Sequence, residues 1–109
     1  MYKGSYQYAL HVFTNIIKSD PSWAEAWNKR ATLLFFIKDY HGSLNNIDKV
    51  LNIEPRHFGA LSGRAQIFIT QEKYKEAIDD LKRVKKIYPL IKDNNLILEL
   101  EKLIKGMSI

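Results

Sequence analysis

Residues 24–57, AEAWNKRATLLFFIKDYHGSLNNIDKVLNIEPRH, decide how the rest of the chain is read. Apolar residues stand at Trp27, Ala31 and Leu34, then at Leu44, Ile47, Val50 and Leu51. Steps of three and four gather them on one side of a 3.6-residue helix, so the stretch reads as two amphipathic helices. Lys38 and Asp39 make the turn between them, and a proline, Pro55, closes the unit. The next 34 residues, 58–91, repeat the plan, and the three prolines Pro21, Pro55 and Pro89 stand 34 and 34 apart. A fixed period of this length is the mark of a helical solenoid, in which each helix pair buries its apolar face against its neighbours.

Working outward, Lys3–Ser19 places Tyr6, Ala9, Leu10, Phe13, Ile16 and Ile17 on one helical face. Asp20-Pro21-Ser22 stops that helix, because proline disfavours helix in the residue before it. Ser22, with Glu25 three residues on, is a candidate capping box for a helix over 23–37. The expected helices that follow are Tyr40–Ile53, 57–71 and 74–88. Leu61, Ala65 and Phe68 take the places of Trp27, Ala31 and Leu34, and Tyr74, Ala77, Ile78, Leu81 and Val84 form the next inward stripe. Tyr6, Ala9, Phe13 and Pro21 match Tyr40, Ser43, Ile47 and Pro55, so the first helix is the second half of a repeat. A last helix over 91–105 breaks register: Leu96, Ile97, Leu100, Leu103 and Ile104 form its apolar face. It reads as a rotated capping helix with Asp93, Glu99, Lys102 and Lys105 toward water and Gly106 as C-cap.

At 109 residues with 46% hydrophobic and 27% charged residues, the chain suits one globular domain over 1–109. The absence of cysteine excludes disulfides, thiolate nucleophiles and iron–sulfur ligation, and fits a reducing compartment. The longest apolar run, 33–37, is far short of the ~20 residues that span a bilayer. MYKGSYQYAL has neither the basic nor the apolar region of a signal peptide. The expected location is therefore cytoplasmic for the chain as given, or exported if it belongs to a longer precursor. A net charge of +5 weakly favours acidic partners.

The repeats resemble tetratricopeptide repeats. The pattern is carried by Trp27, Ala31, Tyr40, Ser43 and Pro55, then by Leu61, Ala65, Tyr74, Ala77 and Pro89, with Tyr6, Ala9 and Pro21 in the half repeat. WAEAWNKRAT and LNIEPRHFGALSGRA most resemble small bacterial tetratricopeptide proteins of uncharacterised role. The resemblance implies an all-α, right-handed superhelical solenoid of antiparallel helix pairs. Its parts would be a half repeat (3–22), full repeats at 24–57 and 58–91, and the capping helix. Two departures carry structural consequences. Lys38 and Glu72 stand where the inter-helix turn usually has Gly, so a left-handed residue there would cost about 1–2 kcal/mol unless the turn takes another form. Arg30 and Arg64 occupy a position that is often leucine; Arg30 is expected to reach Asn46 and Arg64 to reach Asp80, the alternative being a packed stem with a solvated head.

No constellation for catalysis, cofactor or metal emerges. His11, His41 and His57 lack ligand spacing and read as exposed or capping residues. Asp79 and Asp80 are adjacent on a helix, ~100° apart, which does not suit paired acid–base work. Gly59 and Gly63 lie inside a helix and serve close approach of a neighbouring helix or of a ligand. The reading is a non-catalytic protein–protein interaction module. In this family the concave groove is lined by first helices, here Glu25, Asn28, Lys29, Thr32, Phe35 and Phe36, then Ser62, Gln66, Ile69 and Thr70. Phe35, Phe36 and Ile69 would anchor a peptide or partner helix, and the polar residues would bond its backbone. The family's carboxylate clamp is not expected, since only Asn28 matches it and Gly63 stands where an Arg is needed. Self-association is a further expectation, through an apolar strip with Tyr2 and Tyr6 on an uncovered first helix. The rival reading is a nucleic-acid-binding helical repeat using Lys82, Arg83, Lys85 and Lys86, a cluster otherwise read as a solvated helix face.

Overall fold

In a computed structural model, residues 3–89 and 94–107 are described, and among them the chain forms six α-helices and no strand. They are α1 (Lys3–Ser19), α2 (Ala24–Phe36), α3 (Tyr40–Ile53), α4 (Phe58–Thr70), α5 (Tyr74–Ile87) and α6 (Asn94–Met107). Each packs on the next, and among the described residues the one further pairing is α2 with α4, across the top of α3. The Cα radius of gyration is 15.2 Å and the extents are 48 × 28 × 20 Å. A globule of this length would have a radius of about 13 Å, so the helices stack along an axis, as in a solenoid.

The inter-helix turns take the left-handed form. Lys38 and Glu72 have φ of 66° and 60°. The Lys38 N–H donates to the Phe35 carbonyl at 2.9 Å and the Asp39 N–H to Leu34 at 2.8 Å. Glu72 and Lys73 repeat this on Ile69 and Phe68, at 3.0 and 2.7 Å. Both are Schellman caps, whose paired bonds satisfy the last carbonyls of α2 and α4 and offset the strain of a non-glycine residue. Asp39 then caps α3, its carboxylate accepting from the Gly42 N–H at 3.0 Å. A Cβ at Gly42 would lie 2.6 Å from that carboxylate, which would have to turn aside to admit it.

The start of α2 differs from expectation. Its N-cap is Trp23 and makes no side-chain bond. The Ser22 hydroxyl instead donates to Asp20 Oδ1 at 2.7 Å, and the Ser22 N–H lies 3.3 Å from the same oxygen. Asp20 closes the turn locally, and the capping box does not form. Gly106 lies inside α6 rather than capping it. Leu103, expected inward, is exposed, while Leu100 is buried and Leu96, Ile97 and Ile104 pack against its cluster. Asp93 and the expected helix start at Ile91 lie outside the described residues.

Small residues set the helix spacing. Ala31 is buried against α3, where the Ser43 hydroxyl donates to the Ala31 carbonyl at 2.7 Å. Ala65 and Ala77 are fully enclosed at the α4–α5 seam. Two clusters result. One joins Ala24, Ala31, Ile47, Val50, Ala60 and Ile67; the other joins Ala65, Ala77, Ile78, Leu81 and Leu100. Trp27 covers the first from the side, donating Nε1–H to the Pro21 carbonyl at 2.8 Å.

Both arginines find the expected partners. Arg30 Nε donates to Asn46 Oδ1 at 2.7 Å, and its Nη1 reaches the Thr14 hydroxyl at 3.2 Å. One repeat later, Arg64 donates from Nε and Nη2 to both oxygens of Asp80, at 2.9 and 2.8 Å, with Asp48 3.6 Å from Nη1. Hydrogen bonding to the Asp80 carboxylate holds the pKa of the Arg64 guanidinium above its ordinary value despite burial, whereas burial lowers that of Arg30. Among the described residues no buried side-chain polar atom lacks a partner.

Candidate functional site

The meeting of α2 and α4 over α3 leaves a notch of about 220 Å³. One wall is Asn28, Ala31, Thr32, Phe35 and Phe36 from α2. The floor is Ser43 and Ile47 of α3, and the far wall is Gly59, Gly63, Gln66 and Ile67 of α4. Two glycines one turn apart are what keep it open. A Cβ at Gly63 would meet nothing nearer than Ile47 Cδ1 at 3.9 Å, so larger side chains there would fill the notch without a backbone clash.

Aromatic rings form one rim. Phe35 packs on the core, and its ring lies 5.7 Å from Tyr40 and 5.9 Å from Phe36. Phe36 is 59% exposed, and Tyr6 sits 6.2 Å beyond it. A polar chain borders the opposite end. Asn28 Nδ2 donates to Glu25 Oε1 at 3.1 Å, and Glu25 Oε2 lies 3.6 Å from His57 Nε2. His57 Nδ1 accepts the Ala60 N–H at 3.0 Å, capping α4. This chain ties the starts of α2 and α4 together and leaves Asn28 Oδ1 to accept a further bond. The Gln66 amide makes no side-chain bond among the described residues, while the Thr32 hydroxyl donates to the Asn28 carbonyl at 3.0 Å.

Of the residues singled out from sequence, Asn28, Thr32, Phe35, Phe36 and Gln66 line the notch. Glu25 borders it through Asn28. Lys29 and Thr70 are exposed and Ser62 is half-buried, none of them in the lining. Ile69 packs into the second cluster instead, so α4 presents the face of Gly59, Gly63 and Ile67. The 59–63–67 spacing of i, i+4, i+8 was the available signal for that face. Tyr6 is half-buried beside Phe36, and Tyr2 lies outside the described residues. Lys82, Arg83, Lys85 and Lys86 are all exposed on α5. Among the described residues no group of His, Asp and Glu could hold a metal ion, and no helix is long and apolar enough to cross a membrane.

No family model matches the chain. A TPR repeat-containing protein of Rhizobium etli is 44% identical over 81 residues, 74% of this chain and 40% of that protein. Sperm-associated antigen 1 of Rattus norvegicus is 34% identical over 95 residues, 87% of this chain and 10% of that protein. The chain thus spans well under two thirds of the length of the curated relatives it matches. Among solved structures, the first TPR of Spaghetti (RPAP3) bound to the HSP90 peptide SRMEEVD superposes with a TM-score of 0.81 at 21% identity, covering 98% of this chain and 83% of that one. The Arabidopsis OM64 TPR domain also gives 0.81, at 20% identity, over 91% of this chain and 83% of that one. With the 34-residue period, the alanine-seamed helix pairs, this sequence likeness and this shared fold, the chain has the tetratricopeptide-repeat fold and is similar in sequence to tetratricopeptide-repeat proteins.

Proposed function

We propose that this chain is a non-catalytic protein-interaction module that seats an apolar side chain of a partner peptide in the notch between α2 and α4. The observation that carries the reading is the notch itself: apolar at Ile47 of its floor and at one rim, amide-bearing at the other, and flanked by Gly59 and Gly63. Its 220 Å³ is small beside the ~300–1,000 Å³ of sites that enclose a small molecule, and suits one inserted side chain. Gln66 and Asn28 Oδ1 are positioned to bond the backbone on either side of that residue, as helix-repeat grooves do for extended or helical peptides. The Spaghetti domain, seen with a bound peptide, supports a peptide as the class of partner.

Selection of peptides from a random display library, followed by calorimetric titration, tests this. Recovered peptides should share an apolar residue, and Gly63→Leu should weaken them at least about tenfold, the loss of one buried aliphatic side chain. Gln66→Ala should weaken them by less. Binding that is indifferent to Gly63→Leu, with helicity unchanged by circular dichroism, would remove the notch from the function.

A further inference from the structure

A second concavity, sharing no residue with the notch, lies where the loop before α4 meets the last turns of α5. Pro55, Leu61 and Ile87 form its apolar floor, Arg56, Arg83 and Lys86 ring it, and it encloses about 310 Å³. The three cations are exposed and make no ion pair or side-chain hydrogen bond among the described residues. No carboxylate lines the concavity; Glu54 and Asp79, close in sequence, are exposed outside it, and Asp80 is engaged by Arg64. Phe58 and Tyr88, beside these residues in the chain, stack with centroids 6.1 Å apart while remaining 51% and 54% exposed.

Three like charges held around an apolar floor repel one another and lower the energy of an anion placed among them. Guanidinium groups in particular pair carboxylates through forked bonds. We propose that this concavity binds an acidic peptide segment, with carboxylates on Arg56, Arg83 and Lys86 and an intervening aliphatic side chain on Pro55 and Ile87, backed by the buried Leu61. A nucleic-acid strand would use the same charge but needs a series of open ring faces. Here the floor is aliphatic, and Phe58 and Tyr88 cover each other's inner faces.

Fluorescence anisotropy of the whole chain with the labelled peptide EELEELEE tests the proposal. Saturable binding is expected, weakening as salt is added. The pair Arg83→Glu and Lys86→Glu should reduce affinity at least about tenfold, and Arg83→Gln with Lys86→Gln by an intermediate factor. Replacing the leucines of the probe by glycine should reduce it at least about fivefold, through loss of the apolar seat. Gly63→Leu should leave it unchanged, which separates this site from the notch. Circular dichroism on each variant checks that the helices persist. Absence of saturable binding, indifference to the charge reversals, or equal binding of the glycine probe would overturn the proposal. Tighter binding of labelled oligo(dT) in competition with the peptide would overturn it in favour of nucleic acid.

Discussion

Cutting the bond between Arg64 and Asp80 from its two ends should have unequal effects. The Asp80 side chain is 3% exposed and that of Arg64 19% exposed, and the two are joined by two hydrogen bonds of 2.9 and 2.8 Å. Arg64→Met strands a carboxylate in the core, and removing one partner of a buried pair costs about 3–5 kcal/mol. Asp80→Ala leaves an arginine whose head already lies 3.6 Å from Asp48 and reaches water. That loss is confined to charge-assisted hydrogen bonds, about 1.5–3 kcal/mol before Asp48 restores part of it. Arg64→Met should therefore be the more damaging, by about 1–2 kcal/mol. The double variant should be more stable than Arg64→Met alone, because it removes the stranded charge. Urea unfolding followed by far-UV circular dichroism measures all four proteins. Equal single losses, or a double variant weaker than Arg64→Met, would refute the assignment of the burial penalty to Asp80.

Three further outcomes follow from the packing. Lys38→Gly and Glu72→Gly should each raise stability by about 0.5–1 kcal/mol, since relief of ~1–2 kcal/mol of left-handed strain exceeds the added freedom of the unfolded chain; a loss in urea unfolding would contradict the Schellman assignment. Ala65→Leu, at a fully enclosed seam position, should overpack α4 against α5 by about 1–3 kcal/mol and lower the thermal midpoint accordingly, whereas a neutral result would mean the helices part easily. Trp27→Phe should cost about 1–2 kcal/mol, through the hydrogen bond to Pro21 and the Arg30 guanidinium 5.0 Å from the ring centroid; intact stability would argue against both contacts.

The residues that could be read from sequence were those whose surroundings recur with the period. Arg30 with Asn46 and Arg64 with Asp80 each span 16 residues within one helix pair, so a repeating register brings each pair together without knowledge of the whole fold. Helix α3 was legible to the residue because Asp39 caps it and Pro55 follows it. The cap of α2 was not, because the Ser22 hydroxyl bonds Asp20 rather than the first turn of the helix, and the backbone path decides which forms. The sequence left His57 either exposed or capping; it caps α4, and its place beside Glu25 depends on how α2 and α4 approach.

What the sequence by itself determined is the period, the helix pairs, the small residues at their seams and the partners within each pair. These rest on interactions between neighbours in the chain, which repeat every 34 residues. The tertiary structure decided which face of α4 meets α2, and so that Gly59, Gly63 and Ile67, rather than Ser62 and Ile69, complete the notch. It also decided that Arg56, Arg83 and Lys86 surround one apolar floor. Both depend on the rotation and crossing of helices separated in the chain, which side-chain packing across the whole stack sets and no local pattern encodes.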